Sequence, residues 1–228
     1  MRYFLLICQI VILAILVVAV PRGSWAHPTQ MIQKQNITPK DLMGEPENAP
    51  DVDRISLPPL QTEFFSPQGD FRFTVSTPDK WKSTQGYGRL VRLMGNVSEI
   101  IWEDKLPQEY GPRYLLVGQQ GEVLMLDEWI NVKSKYAIVV LNPQNELIIQ
   151  HDFDNVQEIL DVPTSEIVQR ATGGSWWLSG PPSLDESGSK AYIPTSDQVL
   201  KVDLQTGQLS LLNCSDPVIS DQFLHKIR

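Results

Sequence analysis

The sequence predicts an all-β fold built from three four-stranded antiparallel sheets. Short apolar segments recur throughout residues 61–213, and Gly, Pro, Asn and Asp separate them. A Gly, Asn or Asp between two alternating apolar runs is the strongest local signal for a β-hairpin. Two hairpins make a unit, and the units recur at about 40–50 residues, the repeat length typical of four-stranded β-sheets in arrays.

The first unit runs from about Thr62 to Lys105. Its first hairpin is FFSPQGDFRFTVS, in which Ser-Pro-Gln-Gly forms the turn. Its second hairpin is RLVRLMGNVSEIIWE, in which Gly95-Asn96 forms the turn. Each hairpin contributes two strands, which predicts a four-stranded sheet.

The second unit runs from about Arg113 to Phe153, and the third from about Gly174 to Asn213. Gln-Gln-Gly and Asn-Pro-Gln-Asn punctuate the second unit. The third consists of GSWWLSGPPSLDESGSKAYIP and QVLKVDLQTGQLSLLN, with the adjacent tryptophans in its first strand.

A helical insertion explains an irregular repeat length. The last strands of the three units centre near Trp102, Ile149 and Leu211, which gives spacings of 47 and 62 residues. Residues 154–172 fill the longer interval with a mixed polar and apolar pattern. This pattern predicts one or two short helical turns that break at Pro163.

Two of the turns resemble a known repeat family. Ser66-Pro67-Gln68-Gly69 before Phe-Arg-Phe, and Val-Asp-Leu-Gln-Thr-Gly-Gln-Leu at residues 202–209, resemble the hairpins of TolB-type and WD-like propeller repeats. Asp185-Glu186-Ser187-Gly188 repeats the first pattern. The whole chain also resembles uncharacterised exported bacterial proteins that carry an Asp-Glu-Trp segment and a later Trp-Trp. The resemblance implies blade-like sheets, and three of them form an incomplete propeller, since a ring typically needs four to eight.

The apolar pattern also predicts how the sheets stack. Apolar and polar residues alternate in the first and third units, so each of these sheets buries one face. The segments Tyr114–Val117, Val123–Leu126 and Ala137–Leu141 of the middle unit are apolar at every position. A sheet that is apolar on both faces needs cover on both. We therefore expect the middle sheet to lie between the outer two, in a self-contained monomer.

The N-terminus has the features of an export signal. Arg2 precedes an apolar run from Phe4 to Val20, and small residues precede a cleavage point between Ala26 and His27. An uncleaved N-terminal anchor is the alternative, because the apolar run approaches the length of a spanning helix. Residues 27–60 are polar and Pro-rich, which predicts a flexible linker, and residues 214–228 are predicted to form a C-terminal tail.

The charge balance excludes some partners. The full chain has a net charge of −8, and cleavage would remove Arg2 and Arg22, leaving 17 basic and 27 acidic side chains, or −10. Nucleic acids and anionic membranes bind through dense Lys and Arg, so neither is expected as a partner, apart from membrane attachment through an uncleaved N-terminal segment. We expect an extracytoplasmic protein, either periplasmic or secreted.

No established catalytic or metal motif occurs in the sequence. Clusters of Cys and His with metal-ligand spacing, serine nucleophile elbows and phosphate loops followed by a helix are all absent from the sequence. We therefore predict no cofactor and no metal.

The acidic corner Asp127-Glu128-Trp129 is the first candidate site. We expect a strand end whose acids meet solvent or pair with Lys133 and Lys135. The alternative is a carbohydrate-active hydrolase that uses Asp127 or Glu128 with a second acid such as Asp154 or Asp185. Neighbouring residues of an extended strand point to opposite faces, which argues against a catalytic pair at this corner.

Tryptophans supply the second candidate. If Trp176 and Trp177 lie in a strand, one can be buried while the other is presented to a partner. The alternative is that the second packs under the insertion. The sequence therefore predicts a non-enzymatic binding or assembly module that meets protein or envelope polysaccharide at Asp127, Glu128, Trp129, Trp176 and Trp177.

Overall fold

A computed structural model describes residues 56–130, 133–171 and 176–213. The signal segment with Ala26 and His27, nearly all of the predicted linker and the predicted tail lie outside the described residues. The described residues form twelve strands and two helices. The strands run from Gln61 to Asn213 in three sheets, and the helices lie between the second and third sheets.

Each sheet contains four strands that are consecutive in the chain and antiparallel to their neighbours, as the sequence predicts. Sheet A consists of β1 (Gln61–Phe65), β2 (Phe71–Ser76), β3 (Gln85–Met94) and β4 (Val97–Glu109). Sheet B consists of β5 (Pro112–Val117), β6 (Val123–Glu128), β7 (Ile138–Leu141) and β8 (Leu147–His151). Sheet C consists of β9 (Ser183–Leu184), β10 (Lys190–Thr195), β11 (Gln198–Asp203) and β12 (Leu209–Asn213).

Sheet B is covered on both faces, which confirms the stacking predicted from its apolar pattern. One face joins sheet A in a core that includes Phe73, Leu90, Val123, Met125 and Val139. The other face joins sheet C and the helices in a second core that includes Leu124, Leu126, Val140, Ile193 and Leu200. Consecutive residues of β6 therefore alternate between the two cores, as the two-residue period of a strand requires.

The insertion is helical and breaks at Pro163, as predicted. Helix α1 (Phe153–Leu160) begins where the Asp152 carboxylate accepts a hydrogen bond from the Asn155 amide, and it ends at Asp161 in the left-handed conformation. Helix α2 (Thr164–Arg170) begins directly after Pro163. Phe153, Val156 and Leu160 on one side of α1 join the core between sheets B and C.

One local prediction is wrong. The sequence places Trp176 and Trp177 in the first strand of the third unit, but residues 176–180 form irregular bends. The first strand of sheet C is only Ser183–Leu184. Pro181 and Pro182 explain the difference, because proline lacks the amide hydrogen that a sheet ladder needs.

The turns of the three sheets contact one another at Gln119. This residue lies in the β5–β6 turn, and its side chain accepts from the Gln68 amide and donates to the Asp70 carboxylate, both in the β1–β2 turn. Its own amide donates to the carbonyl of Gly188 in the β9–β10 turn. One glutamine therefore joins the corresponding turn of every sheet.

The later turns make a second regular contact. In the β7–β8 turn, Asn145 donates a hydrogen bond to Asp104 on β4 of the preceding sheet. In the β11–β12 turn, Gly207 packs so closely on Ile148 and Ile149 of β8 that a Cβ atom would overlap them. In both sheets the last turn therefore contacts the preceding sheet, through a hydrogen bond in sheet B and through close packing in sheet C.

Candidate functional site

The centre of the candidate site is a buried pair formed by Asp127 and Trp177. Asp127 lies near the end of β6 with a φ of 55°, and its amide donates to the carbonyl of Ala137. Its Oδ2 accepts a 2.6 Å hydrogen bond from the indole Nε1–H of Trp177. Both side chains have 0% exposure.

Burial controls the charge of Asp127. Loss of hydration raises the pKa of this carboxyl from 3.8 to about 7, and the nearby Glu128 adds to the rise. The hydrogen bond from Trp177 and the positive charge of Arg113 act in the opposite direction. Among the described residues, none forms a hydrogen bond with Oδ1. The geometry suits a carboxyl group that carries a proton for part of the physiological pH range.

The neighbouring Glu128 and Trp129 hold other strands in place. Glu128 is 4% exposed, and its Oε1 accepts a hydrogen bond from the Glu109 amide at the end of β4. The half-buried Trp129 donates from Nε1 to the carbonyl of Ser56 at 2.8 Å, a contact across 73 residues of sequence. This corner therefore connects β6 to sheet A and to the beginning of the described chain.

The expectation that Asp127 and Glu128 face solvent is wrong. Strand β6 does end at Glu128, as predicted, but the left-handed backbone at Asp127 turns the chain so that both acids are buried. In an extended strand the two acids would point to opposite faces, but the positive φ of Asp127 departs from extended geometry. Lys133 lies 3.7 Å from Asp154, and Lys135 lies over the ring of Tyr136.

The two tryptophans pack beneath the insertion. The ring of Trp176 lies 3.9 Å from the ring of Phe153 at the start of α1, measured between centroids. Trp177 belongs to the core that includes Val156 and Leu160 of α1, and its carbonyl accepts a hydrogen bond from Thr195. Trp177 thus packs under the insertion, as one of the two alternatives has it, while Trp176 keeps partial exposure.

An open groove lies on the outer side of the insertion. It encloses about 510 Å³ and is lined by Asp154, Gln157, Glu158, Asp161, Val162 and Pro163. The three acids are exposed, and the side chain of Asp154 reaches 77% exposure. Since Asp154 directly follows Phe153, the groove begins one residue away from the contact with Trp176.

Asp185, one of the second acids considered for a hydrolase, is held by several hydrogen bonds. Asp185 accepts hydrogen bonds from the amides of Ser189 and Lys190 and from the hydroxyl of Ser187. Partial burial raises the pKa of Asp185, but these hydrogen bonds outweigh it and keep the pKa below its ordinary value. Asp185 therefore shapes the β9–β10 turn.

Sequence reasoning missed Gln119. The segment Gly-Gln-Gln-Gly was correctly interpreted as a hairpin turn, but a turn pattern does not reveal which other turns it contacts. The signal that could have found it is the recurrence of turns at corresponding places in all three units, which predicts that these turns lie close together.

The described residues contain no group of three or more His, Cys, Asp or Glu side chains arranged to hold a metal ion. No helix in the described ranges has the length and apolar character needed to cross a membrane.

Comparisons with known proteins give little information about function. No protein-family profile matches the chain, and no curated protein matches it. Among solved structures, the crystal structure of TolB from Acinetobacter baumannii aligns with a TM-score of 0.28 and 14% identity. The alignment covers 67% of this chain and 43% of that chain, so the chain spans less than half of the TolB length. Similarity at this level does not establish a shared fold.

Proposed function

We propose that this chain is an exported, non-catalytic β domain of the cell envelope or extracellular space that binds a protein or polysaccharide partner. Export follows from the N-terminal sequence, with cleavage between Ala26 and His27. An incomplete propeller is the architecture that we infer for the three stacked sheets.

The observation that carries this proposal is the surface of the insertion. The insertion interrupts an otherwise regular repeat of four-stranded sheets, and it contains the groove described above. Exposed Asp154, Glu158 and Asp161 line the groove, and partly exposed Trp176 packs on the adjacent Phe153. Segments added to a repeating scaffold are common locations for binding sites, since the scaffold fixes their position.

The chemistry of this surface favours a partner with cationic or hydroxyl groups. Exposed carboxylates accept hydrogen bonds from both, and a partly exposed indole offers an apolar face for a sugar ring or an aliphatic side chain. Trp177 supports this surface from below, because it is buried in the same core as Val156 and Leu160 of α1, and Asp127 accepts the hydrogen bond of its indole.

The proposal is tested by affinity capture from the native envelope with charge-reversed variants. The double variant Asp154→Lys with Glu158→Lys changes the groove without touching the core, and we expect it to lose most of the captured partner. Glu186→Lys in the β9–β10 turn is the matched control, since it reverses an exposed acid away from the groove. Equal capture by both variants would remove the insertion surface as the binding site.

One observation favours the second candidate, a carbohydrate-active hydrolase. The pKa of Asp127 is raised to about 7, a value suited to a general acid. However, Asp127 has 0% exposure and its Oδ2 is already bonded to Trp177. A substrate could reach it only if the Trp177 side chain moved.

Asp127→Asn decides between a catalytic and a structural role. A hydrolase that depends on this carboxyl loses turnover of envelope glycans in the variant while keeping its fold. If no glycan tested is cleaved by the native chain, or if the variant cleaves as fast as the native chain, the hydrolase candidate is rejected.

A further inference from the structure

Corresponding rows of residues cross the three sheets and can be compared directly. In each sheet, the residues beside the first turn form one row of cross-strand partners, which we call the back row. In sheets B and C the back row faces the preceding sheet. In sheet B the back row is Val117, Val123, Leu141 and Leu147. In sheet C it is Leu184, Ala191, Val202 and Leu209.

These two back rows are part of the interfaces between sheets. Val117, Val123 and Leu141 of sheet B are buried in the core shared with sheet A. Ala191 and Val202 of sheet C are buried in the core shared with sheet B, and Leu184 and Leu209 pack against it. An apolar back row is thus the feature by which one sheet docks on the sheet before it.

Sheet A has the same row but no preceding sheet among the described residues. Its back row is Phe65, Arg72, Val91 and Ile100. Phe65 is 53% exposed, whereas its counterpart Val117 in sheet B is 1% exposed. Ile100 is 59% exposed, close to the 57% of its counterpart Leu147, and Val91 is buried. The β3–β4 turn is free as well, since a Cβ atom at Gly95 would meet nothing within 4 Å. Turns at the corresponding place in sheets B and C contact the preceding sheet.

The front rows show which surface could cover it. The front row is the next row of cross-strand partners, one residue further from the first turn. In sheets A and B it faces the following sheet. It is Phe64, Phe73, Leu90 and Trp102 in sheet A, and Leu116, Leu124, Val140 and Ile149 in sheet B. In sheet C it is Ser183, Tyr192, Lys201 and Ser210. Ser183, Lys201 and Ser210 are polar, and Tyr192 is buried in a small cluster with Val199 on the same face. The front face of sheet C is therefore a poor match for the back row of sheet A.

The charges on the back face of sheet A match a copy of the same face. Beside the back row lie Glu63, Thr74, Arg89 and Glu103 as cross-strand partners. Arg89 pairs with Glu103, and Arg72 lies 3.5 Å from Glu63. With Lys105, the partner of Tyr87 on the same face, these groups give a net charge of only +1, and a two-fold axis can place opposite signs against each other.

We infer that the back face of sheet A is a self-association surface, on which a second copy of this chain docks with its own sheet A about a two-fold axis. The back rows of the two copies cover each other, as the internal back rows are covered within one chain. This inference departs from the monomer expected from the sequence.

Site-specific cross-linking of the full-length chain tests the inference. Cys8 and Cys214 are replaced by serine, and a single cysteine is introduced as Ile100→Cys. Val168→Cys is the control, because Val168 is 45% exposed on α2, outside sheet A. With a short thiol-reactive bifunctional reagent, we expect a covalent homodimer from Ile100→Cys and none from Val168→Cys.

A second variant shows whether the back row itself forms the contact. Phe65→Glu, combined with Ile100→Cys, is expected to reduce the cross-linked dimer at least tenfold while the thermal unfolding midpoint changes little. The inference is overturned by an absence of dimer from Ile100→Cys, equal dimer from both cysteine positions, a cross-link to a different protein, or dimer that survives Phe65→Glu.

Discussion

The two outward faces of the stack differ, although the sheets that carry them follow the same plan. The front face of sheet C has a polar row with Lys201 at its centre, flanked by Tyr192 and Ser210. On the back face of sheet A, Phe65 is 53% exposed, whereas Val117 at the corresponding place in sheet B is buried. Within the described residues, a polar row closes one end of the array, as solubility requires of a terminal repeat, whereas an apolar side chain is exposed at the other end.

The largest difference in stability is expected when a phenylalanine is truncated on each of the two faces of sheet A. Phe73 has 0% exposure in the front row, so Phe73→Ala should lower the free energy of unfolding by about 3–5 kcal/mol. Phe65 is 53% exposed in the back row of the same sheet, and Phe65→Ala should cost less than about 1 kcal/mol in dilute solution. Urea unfolding measures both, and similar costs would contradict the assignment of buried and open faces.

The interior between sheets B and C contains the buried carboxyl group of Asp127. Asp127 has its pKa raised from 3.8 to about 7, so between these values the folded chain binds more protons there than the unfolded chain. The free energy of unfolding should therefore fall as pH rises from about 4 to 7, by up to about 4 kcal/mol from this group, and stay level above 7. Asp127→Asn should remove this dependence.

Urea unfolding at pH 5 and at pH 8 measures that dependence. The native chain should be more stable at pH 5, and Asp127→Asn should show a smaller difference between the two values. An unchanged pH dependence in the variant would mean that Asp127 is ionised to the same extent in both states.

The hydrogen bonds of Gln119 join the turns of all three sheets. A substitution at Gly188 tests whether this junction stabilises the fold. Gly188 has a φ of 67°, and a Cβ atom there would lie 2.8 Å from the Cβ of Gln119 and 3.0 Å from Pro67. Gly188→Ala should destabilise the fold by about 1–3 kcal/mol through backbone strain and displacement of the turns. Gly69→Ala is the control, because φ is 80° with nothing within 4 Å. Thermal unfolding should show a larger loss for Gly188→Ala; equal losses would mean that the junction adds nothing beyond strain.

The smallest effect on stability is expected from an apolar substitution on the front face of sheet C. Lys201→Leu replaces the charge at the centre of the polar front row and should change the free energy of unfolding by less than about 0.5 kcal/mol. Its effect should be on association, since a larger apolar surface favours assemblies above the dimer. Sedimentation velocity checks this against Lys201→Gln; identical distributions would show that the polar row is not what caps the array.

Turn chemistry and strand periodicity predicted most of this fold. The Gly and Asn residues of each turn marked the hairpins, and the continuous apolar pattern of the middle unit predicted cover on both faces. Both are local features, and both are confirmed by the pairing of strands and by the two cores.

The candidate site was harder to predict because it depends on contacts between distant residues. The left-handed conformation of Asp127 is unusual for a residue other than glycine, and nothing in the local sequence signals it. Its hydrogen bond with Trp177 joins residues 50 positions apart. The back row of sheet A could not be predicted because it includes the charged Arg72. Only the strand register shows that Arg72 lies in one row with Phe65, Val91 and Ile100.

The exposure of corresponding back rows is measured most directly by the rate of thiol labelling in the native chain. Ile100→Cys in sheet A and Val202→Cys in sheet C are each prepared without the native cysteines. The rate for Ile100→Cys should be high at low protein concentration and fall as the concentration rises, while Val202→Cys stays protected throughout. Protection of Ile100→Cys at every concentration, or equally fast labelling of both positions, would contradict an open back row on sheet A.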